Sequence, residues 1–522
     1  MREGLGRVLV VGAGPTGLSV ALCLRACGVP FDLVDVKSGP SRESKALALN
    51  PLSLDQLDLL GYPDAVGARG RRVSRMNPIY GETRLTPIDL RWLDHDRPSF
   101  VAQPQDATER ELIAALATRG ADVAWNTELT GVADRGQDVE VTLRSGIEAP
   151  IHRTYAWVVG CEGKRSVVRE AIGGEFVGAE YPMHFVLGDF ELDWDGDPGQ
   201  AYYFVYDDTF FVFAPIADGR WRVTVKHDGA PSPCGPKGTA ITGPVCERFG
   251  RDIFRSGPSW ISQSPIYLKL ASRLRAGRLF IAGDAAHLFS PIGGTGMNTG
   301  MQDAFNLGWK LGFVARGWAP EELLASYETE RLEAIRANAA ATDAMTRLIT
   351  RIERTPEKLA PFLPHLARRR LLSRQFPMAQ SGLALRYSRP HGVAEAKGRV
   401  GSVCRGLPAF LKRIQGSSMR PAYRVLAYTT AGEGAHVERL ARACAPFGSR
   451  VVLHQACAEG GERPAPRATP LDATALRRLG LTHGAALLVR PDGIVACEGA
   501  VSAPEPLYAH LNAVLTKGLD DE

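Results

Sequence analysis

Two glycine-rich turns, far apart in the chain, hold the residues whose types and spacing suit chemistry. In the later one, residues 277–310, an apolar run at 279–282 stops at Gly283-Asp284. A loop with Gly293, Gly294 and Gly296 follows, and a helical pattern opens near Asn298-Thr299. Asp284 is suited to accept hydrogen bonds from a sugar-alcohol chain. The glycines have no Cβ, so backbone can come close to a flat ring. The helix start offers unpaired N–H groups and a positive dipole end to negative charge on that ring. Together they suit a flavin.

At the other end, a strand at 7–11 runs into Gly12-Ala13-Gly14-Pro15-Thr16-Gly17. A helical pattern continues to Cys27, with Gly28 as its terminating residue. A second strand, 31–34, ends at Asp35, roughly twenty residues past the glycines, where an acid serves a ribose diol. Strand, glycines, helix and acid together predict dinucleotide binding. This turn alone does not separate NAD from FAD. Asp284 does, since a nicotinamide dehydrogenase has no use for a distant ribityl-binding carboxylate.

These segments closely resemble the class A flavoprotein monooxygenases, the aromatic hydroxylases built like p-hydroxybenzoate hydroxylase, over nearly the whole chain. The likeness is greatest to the subgroup with a thioredoxin-like C-terminal domain. The resemblance implies an α/β fold: a Rossmann-like FAD-binding domain, an inserted antiparallel-sheet substrate domain and a C-terminal thioredoxin-like domain. It assigns Gly12, Gly14, Thr16 and Gly17 to the phosphate turn, Asp35 to the ribose and Gln105 to the flavin nucleotide. It likewise assigns Asp284 to the ribityl chain, and Pro291, Gly294, Met297 and Asn298 to the loop beside the isoalloxazine.

Two positions depart from the family pattern. Glu162, in Cys161-Glu162-Gly163-Lys164-Arg165-Ser166, stands where the family typically has aspartate, one methylene shorter. Lys45 stands where it favours arginine, keeping a cation near the pyrophosphate without the planar fork. FAD is expected to bind with both changes in place.

Composition agrees with a multi-domain enzyme. The 522 residues exceed what one core organises, and 45% hydrophobic with 23% charged residues is ordinary for globular chains. A net charge of +5 gives no reason to invoke nucleic acid. The nine cysteines form no CxxC pair, which argues against a disulfide framework or a zinc site and fits a reducing cytoplasm. Cys23 and Cys27 read as small core residues. Residues 8–24 are apolar behind two arginines, yet glycines and Pro15 interrupt them, unlike a secretory signal. No run is long enough for a membrane span.

The FAD domain is expected in three pieces, 1–72, 102–176 and 275–345. Short alternating strands at 185–192, 200–205, 210–214 and 220–227 predict a substrate sheet over 176–274, joined by 73–101. Residues 346–420 read as a helical or linker region in which Arg368-Arg369-Arg370 is a solvated face. From 421 to 522 the order βαβ, α, ββ, α matches a thioredoxin-like fold, but without the CxxC of dithiol exchange it reads as structural.

The resemblance implies that NAD(P)H reduces FAD, that O2 adds at the flavin C4a carbon, and that the hydroperoxide hydroxylates a phenolic or polyketide-like ring. With one dinucleotide fingerprint present, the donor, NADPH or NADH, must dock against the flavin domain; Lys45, Arg165 and Arg169 are the cations to test. Substrate activation needs a group that draws off the phenolic proton. Tyr203 and His227 are the candidates on the substrate sheet, with Tyr202 and Tyr206 beside them and Arg222 as a partner for a substrate carboxylate. A flavin reductase, an epoxidase or Baeyer–Villiger oxygenase, and a non-catalytic FAD-binding protein remain open; the halogenase WxWxIP element is absent. The expected partners are a small aromatic substrate, O2 and NAD(P)H, with no nucleic acid and no membrane, and with a homodimer possible by family likeness.

Overall fold

The computed structural model describes residues 6–518 except 43, 63–65, 207, 236, 355–375, 394–395, 416–419, 431 and 461–467. The Arg368-Arg369-Arg370 run lies outside the described residues. A buried four-residue strand, Val8–Val11, lies inside the first sheet. It pairs in parallel with Phe31–Val34 on one side and Trp157–Gly160 on the other, in registers Val8↔Phe31 and Val8↔Trp157. Leu279–Ile281 adds beyond Trp157–Gly160, and Arg275–Ala276 closes that edge. The three inner strands are buried along their whole length and apolar on both faces, as a sheet covered on both sides requires.

Two helices cover this sheet and meet along a seam of small residues. Pro15–Ala26 (the fingerprint helix) runs against Gly296–Ala315 (the glycine-loop helix). Side chains on Gly308 and Gly312 would strike Cys23 and Cys27, so the two cysteines fill the notches those glycines leave. Burial pushes the Cys27 thiol up to about 12 and Cys23 higher than its ordinary value, which leaves both as packing groups. A three-stranded antiparallel sheet, Thr127–Asp134, Val139–Ser145 and Ile151–Tyr155, flanks the domain in addition to the expected elements.

The second sheet is larger than expected. Its order is His287–Leu288, Trp260–Ala271, Phe176–Phe190, Trp221–Asp228, Phe210–Pro215, Gln200–Val205, Arg75–Tyr80, Thr83–Arg84, with Ile88–Asp89 paired to Arg75–Tyr80. Most pairs are antiparallel, but Gln200–Val205 and Arg75–Tyr80 run parallel, so the inserted sheet is mixed. The boundary expected at 72/73 falls inside the strand Arg71–Val73, which pairs with Phe100–Ala102. Thr239–Phe249 packs on the outer face, over a cluster that includes Phe190, Phe204, Phe211, Phe213 and Trp221. The inner face carries Met183, Phe185, Leu187, Phe210 and Ile266, which close on Ile292 of the glycine loop.

Residues 421–518 build a separate sheet in the order Thr469–Leu471, Val451–Ala458, Tyr423–Tyr428, Ala485–Val489, Val495–Ala500; the first three are parallel and the last two antiparallel to their neighbours. Among the described residues no helix is long and apolar enough to cross a membrane.

Candidate flavin and substrate site

The N-terminal turn is shaped by glycine where nothing else fits. Gly12 has φ +100°, and a side chain there would strike the Cys161 carbonyl; one on Gly17 would strike the Gly12 carbonyl. A Cβ on Gly14 would meet nothing within 4 Å, so that side of the turn is open. The fingerprint helix starts at once, with Pro15 in its first turn, no capping side chain and no acid there. Its first N–H groups are left to whatever occupies the open side. Asp35 is buried and accepts from Ala13 N at 2.7 Å and Lys37 N at 2.8 Å, which aims its carboxylate at the turn. Beyond it the surface dips into a hollow lined by Val36, Asn126, Glu128, Arg144 and Ile147.

The strap that carries Ser41 and residues 44–50 is stapled to the start of the helix Gln105–Ala117. Gln105 N donates to Ser44 Oγ at 3.0 Å and Ala46 O at 3.1 Å, and its Oε1 accepts from Ala46 N at 3.3 Å. Glu109, one turn on, accepts from Gln105 Nε2 and Ser41 N, both at 3.0 Å. Arg222 anchors the same strap from the substrate sheet. It donates to Ser44 O and, at 3.2 Å, to Ser44 Oγ, grips Asp189 at 2.7 and 2.9 Å, and lies over the Trp260 ring. Its guanidinium is committed to the protein, which corrects the expectation that it meets a substrate carboxylate. Lys45 is exposed, and its charge acts on Asp284.

The Asp284 turn and the glycine loop face this strap. The Asp284 side chain is exposed to solvent at the end of its turn, with protein packed around it. That enclosure raises its pKa, with His287 and Lys45 acting in the opposite direction. Gly293 and Gly294 take φ +100° and +65° before the glycine-loop helix. That helix has no capping side chain and no acid in its first turn, and the Thr295 hydroxyl is buried without a partner among the described residues. Asn298 ties the loop to the strap: Oδ1 accepts from Asn50 N at 2.9 Å, and Nδ2 donates to Ala48 O at 2.7 Å and Gly294 O at 3.2 Å. Pro291 is exposed at the loop's edge, and Met297 packs against the core beneath. Gly283 and Gly300 both abut Thr16, which brings the two glycine turns together, and an open glycine turn, an exposed carboxylate and an orphaned hydroxyl are donors and acceptors that fit FAD.

The substrate sheet separates the candidates by face. Tyr203 alternates with Tyr202 and Phe204, which belong to the outer cluster, and packs instead with the inner one. Among the described residues its hydroxyl meets the Met76 sulfur, at 3.6 Å. His227 shares its parity with Val223 and Val225 and bonds Ala240 O at 2.8 Å on the outer helix. Tyr202 OH accepts from Asp197 N, and Tyr206 lies under Arg248, both also outside. His227 therefore turns away from the glycine loop, and the expectation of a catalytic His227 is corrected. Alternation along a strand fixes two faces, but only neighbouring elements say which faces inward.

The loop carrying the first departure is self-contained. Glu162 accepts from Ser166 Oγ at 2.7 Å and Val168 N at 3.1 Å, so its carboxylate closes its own loop; burial pushes its pKa up. Arg169 donates to Ala285 O at 3.0 Å and Lys164 O at 2.8 Å beneath the Asp284 turn, which leaves Lys164 and Arg165 as exposed cations of this loop.

Residues 6–342 match the family model described as the FAD binding domain. The chain belongs to that family. Its relatives place this FAD-binding protein among the FAD-dependent aromatic monooxygenases. It is 32% identical to a 6-methylpretetramide 4-monooxygenase of Streptomyces rimosus, over 97% of this chain and 93% of the relative. The solved OxyS anhydrotetracycline hydroxylase from Streptomyces rimosus superposes with a TM-score of 0.77 at 28% identity, covering 97% of this chain and 99% of that one. A Diels-Alderase, PyrE3 of pyrroindomycin biosynthesis, shares the fold at a TM-score of 0.70 and 26% identity, over 98% and 100% of the two chains. Among FAD-binding domain proteins the fold therefore does not by itself dictate the reaction.

Proposed function

We propose that this monooxygenase uses NAD(P)H and O2 to hydroxylate a multi-ring phenol of polyketide type held between the inner face of the substrate sheet and the glycine loop. The observation that carries the reading is the apolar cluster of Met183, Phe185, Leu187, Phe210 and Ile266 closing on Ile292, with Tyr203 at its edge. Such a wall holds flat, apolar rings by area and excludes water from the reacting face.

FAD, when bound, supplies the electron transfer and oxygen activation. The chain's residues bind and orient. The open side of Gly14 and the uncapped fingerprint helix take the pyrophosphate, Asp35 the ribose and Asp284 the ribityl hydroxyls. The first turn of the glycine-loop helix faces the ring and stabilises negative charge on it. Tyr203 carries the substrate hydroxyl. Burial pushes its pKa up to about 12, so near neutral pH it is a hydrogen-bond donor and not a base. A donor beside a phenol oxygen stabilises the phenolate left when the phenolic proton departs, the form whose ring is rich enough in electrons to be hydroxylated. Gln105, Thr16, Pro291, Gly294, Met297 and Asn298 hold the cofactor site in place, while Lys45 and Arg165 are exposed cations offered to the donor's phosphates. Glu162 supports the site through the 161–166 loop and does not itself reach the nucleotide.

Purified holoprotein is to be mixed with NADPH or NADH and a panel of hydroxylated naphthalenes, anthracenes and tetracenes, with oxygen uptake recorded. Oxidation of the reductant stimulated by one compound and matched by oxygen uptake supports the reading. A ring-forming activity without reductant, as the PyrE3 likeness allows, overturns it.

A further inference from the structure

The C-terminal unit lacks a dithiol motif, yet it sends one hairpin into the heart of the first domain. Arg490, at the end of Ala485–Val489, is 2% exposed; it grips Glu330 of the long helix Ala325–Arg354 through both terminal nitrogens, at 2.8 and 3.0 Å. Asp492 holds the guanidinium from the other side, and Trp309 and Tyr387 sandwich it at 5.3 and 5.6 Å. From Glu330 the bonds continue inward. Asn306 Nδ2 donates to Glu330 Oε2 at 2.7 Å and to Tyr387 OH at 3.1 Å, and Lys310 Nζ donates to Glu330 Oε2 at 2.8 Å. Arg331 donates to Tyr387 OH at 3.1 Å, to Thr299 O at 3.3 Å and to Asp303 Oδ1 at 2.7 Å. The other Asp303 oxygen takes Gly283 N at 3.0 Å and His287 Nε2 at 2.7 Å.

The chain of bonds thus runs from the C-terminal hairpin to the two residues that bracket Asp284. Its charged members, Arg490, Arg331, Lys310, Glu330, Asp303 and Asp492, are all buried. Three cations meet three carboxylates, so the network is neutral as a whole but not after the loss of any member. A buried charge stripped of its partner costs far more than the pair contributes, and the remaining members must rearrange to find new partners. The end of the chain is the backbone N–H that sets the Asp284 turn.

We propose that Arg490 is a positioning residue of the flavin site: through Glu330, Arg331 and Asp303 it fixes the turn that presents Asp284, so that docking of the C-terminal unit and FAD binding favour one another. Coupling of this kind is reciprocal. It also gives the C-terminal unit a task that needs no redox chemistry of its own. The proposal rests on FAD binding alone and stands or falls independently of the substrate.

The test is the FAD dissociation constant of full-length apoprotein, read by quenching of flavin fluorescence at a temperature where each variant is folded by circular dichroism. Arg490→Met is compared with Arg450→Met, since Arg450 is buried in the same unit but bonds to Phe447 O and Thr516 O within it. R490M is expected to weaken FAD binding at least tenfold and R490K, which keeps the charge without the fork, by less. R450M is expected to lower the melting temperature and leave FAD affinity within twofold. Equal weakening by R490M and R450M, or unchanged affinity in folded R490M, overturns the proposal. Should R490M not accumulate as folded protein, R490K against R450K gives the same decision.

Discussion

A Cβ on Gly283 would stand 2.5 Å from Thr16 Oγ1. The turn that delivers Asp284 therefore rests on the side chain that opens the fingerprint helix, more than 260 positions earlier in the chain. Gly283 also has φ +64°. Gly283→Ala meets both obstacles: a left-handed backbone costs about 1–2 kcal/mol and overpacking about 1–3 kcal/mol. The variant is expected to melt lower and bind less flavin. In a Thr16→Ala background the same substitution is expected to cost less, since the nearest obstructing atom is gone. A double-mutant cycle on urea midpoints measures the difference.

Gly14 and Gly17 are expected to fail in different ways. A side chain on Gly17 strikes the Gly12 carbonyl, whereas one on Gly14 meets no protein atom within 4 Å. Gly17→Ala is expected to lower apoprotein stability, while Gly14→Ala leaves it within about 1 kcal/mol, a surface-type change. Both are expected to lose flavin. Thermal melts of the apoproteins together with flavin absorbance of the holoproteins check the contrast.

Asp284→Ala is expected to lose most of its flavin and remain folded, because hydrogen bonds to a charged acceptor are worth about 1.5–3 kcal/mol. Asp284→Asn adds a pH signature. Enclosure raises the Asp284 pKa in the folded apoprotein. For a carboxyl raised on folding, the folded state favours the protonated form, and the stability this gives is lost as pH rises through the folded pKa. At neutral pH the Asn variant's apoprotein is therefore expected to melt higher than the parent. The gain is expected to shrink as pH falls towards the ordinary carboxylate range. Melting temperatures measured from pH 7 downward test it, and an Asn variant that melts lower at pH 7 contradicts it.

Tyr203→Phe is expected to cut turnover about tenfold or more, the value of one hydrogen bond to developing charge, with flavin content unchanged. His227→Ala is expected to leave turnover within about twofold, since its ring bonds Ala240 O on the far side of the sheet. Steady-state kinetics on holoprotein separates the two.

Much of the fold, and the turns proposed to hold the cofactor, can be read in the sequence, because local rules govern both. The Gly12 turn, the strand ending at Asp35 and the Gly283-Asp284 pair announce themselves by residue type and spacing, and the C-terminal strands by apolar runs between turn residues. The inward direction of Tyr203 and the outward direction of His227 depend on which helix covers which face, and strand alternation does not carry that information. Nothing in the sequence singles out Asp303, Lys310, Glu330 and Arg331; only tertiary pairing shows these charged residues buried. Arg222 read as a free cation for the same reason. The orphaned Thr295 hydroxyl left no sequence signal at all.

The most direct measurement of the central claim is the fate of 18O2 in a single turnover with NAD(P)H and the phenol that best stimulates its oxidation. One 18O atom in the product, with one reductant consumed per product and a yellow enzyme recovered, is the predicted result. Product that forms without label, or a colourless protein that takes up no FAD, contradicts it.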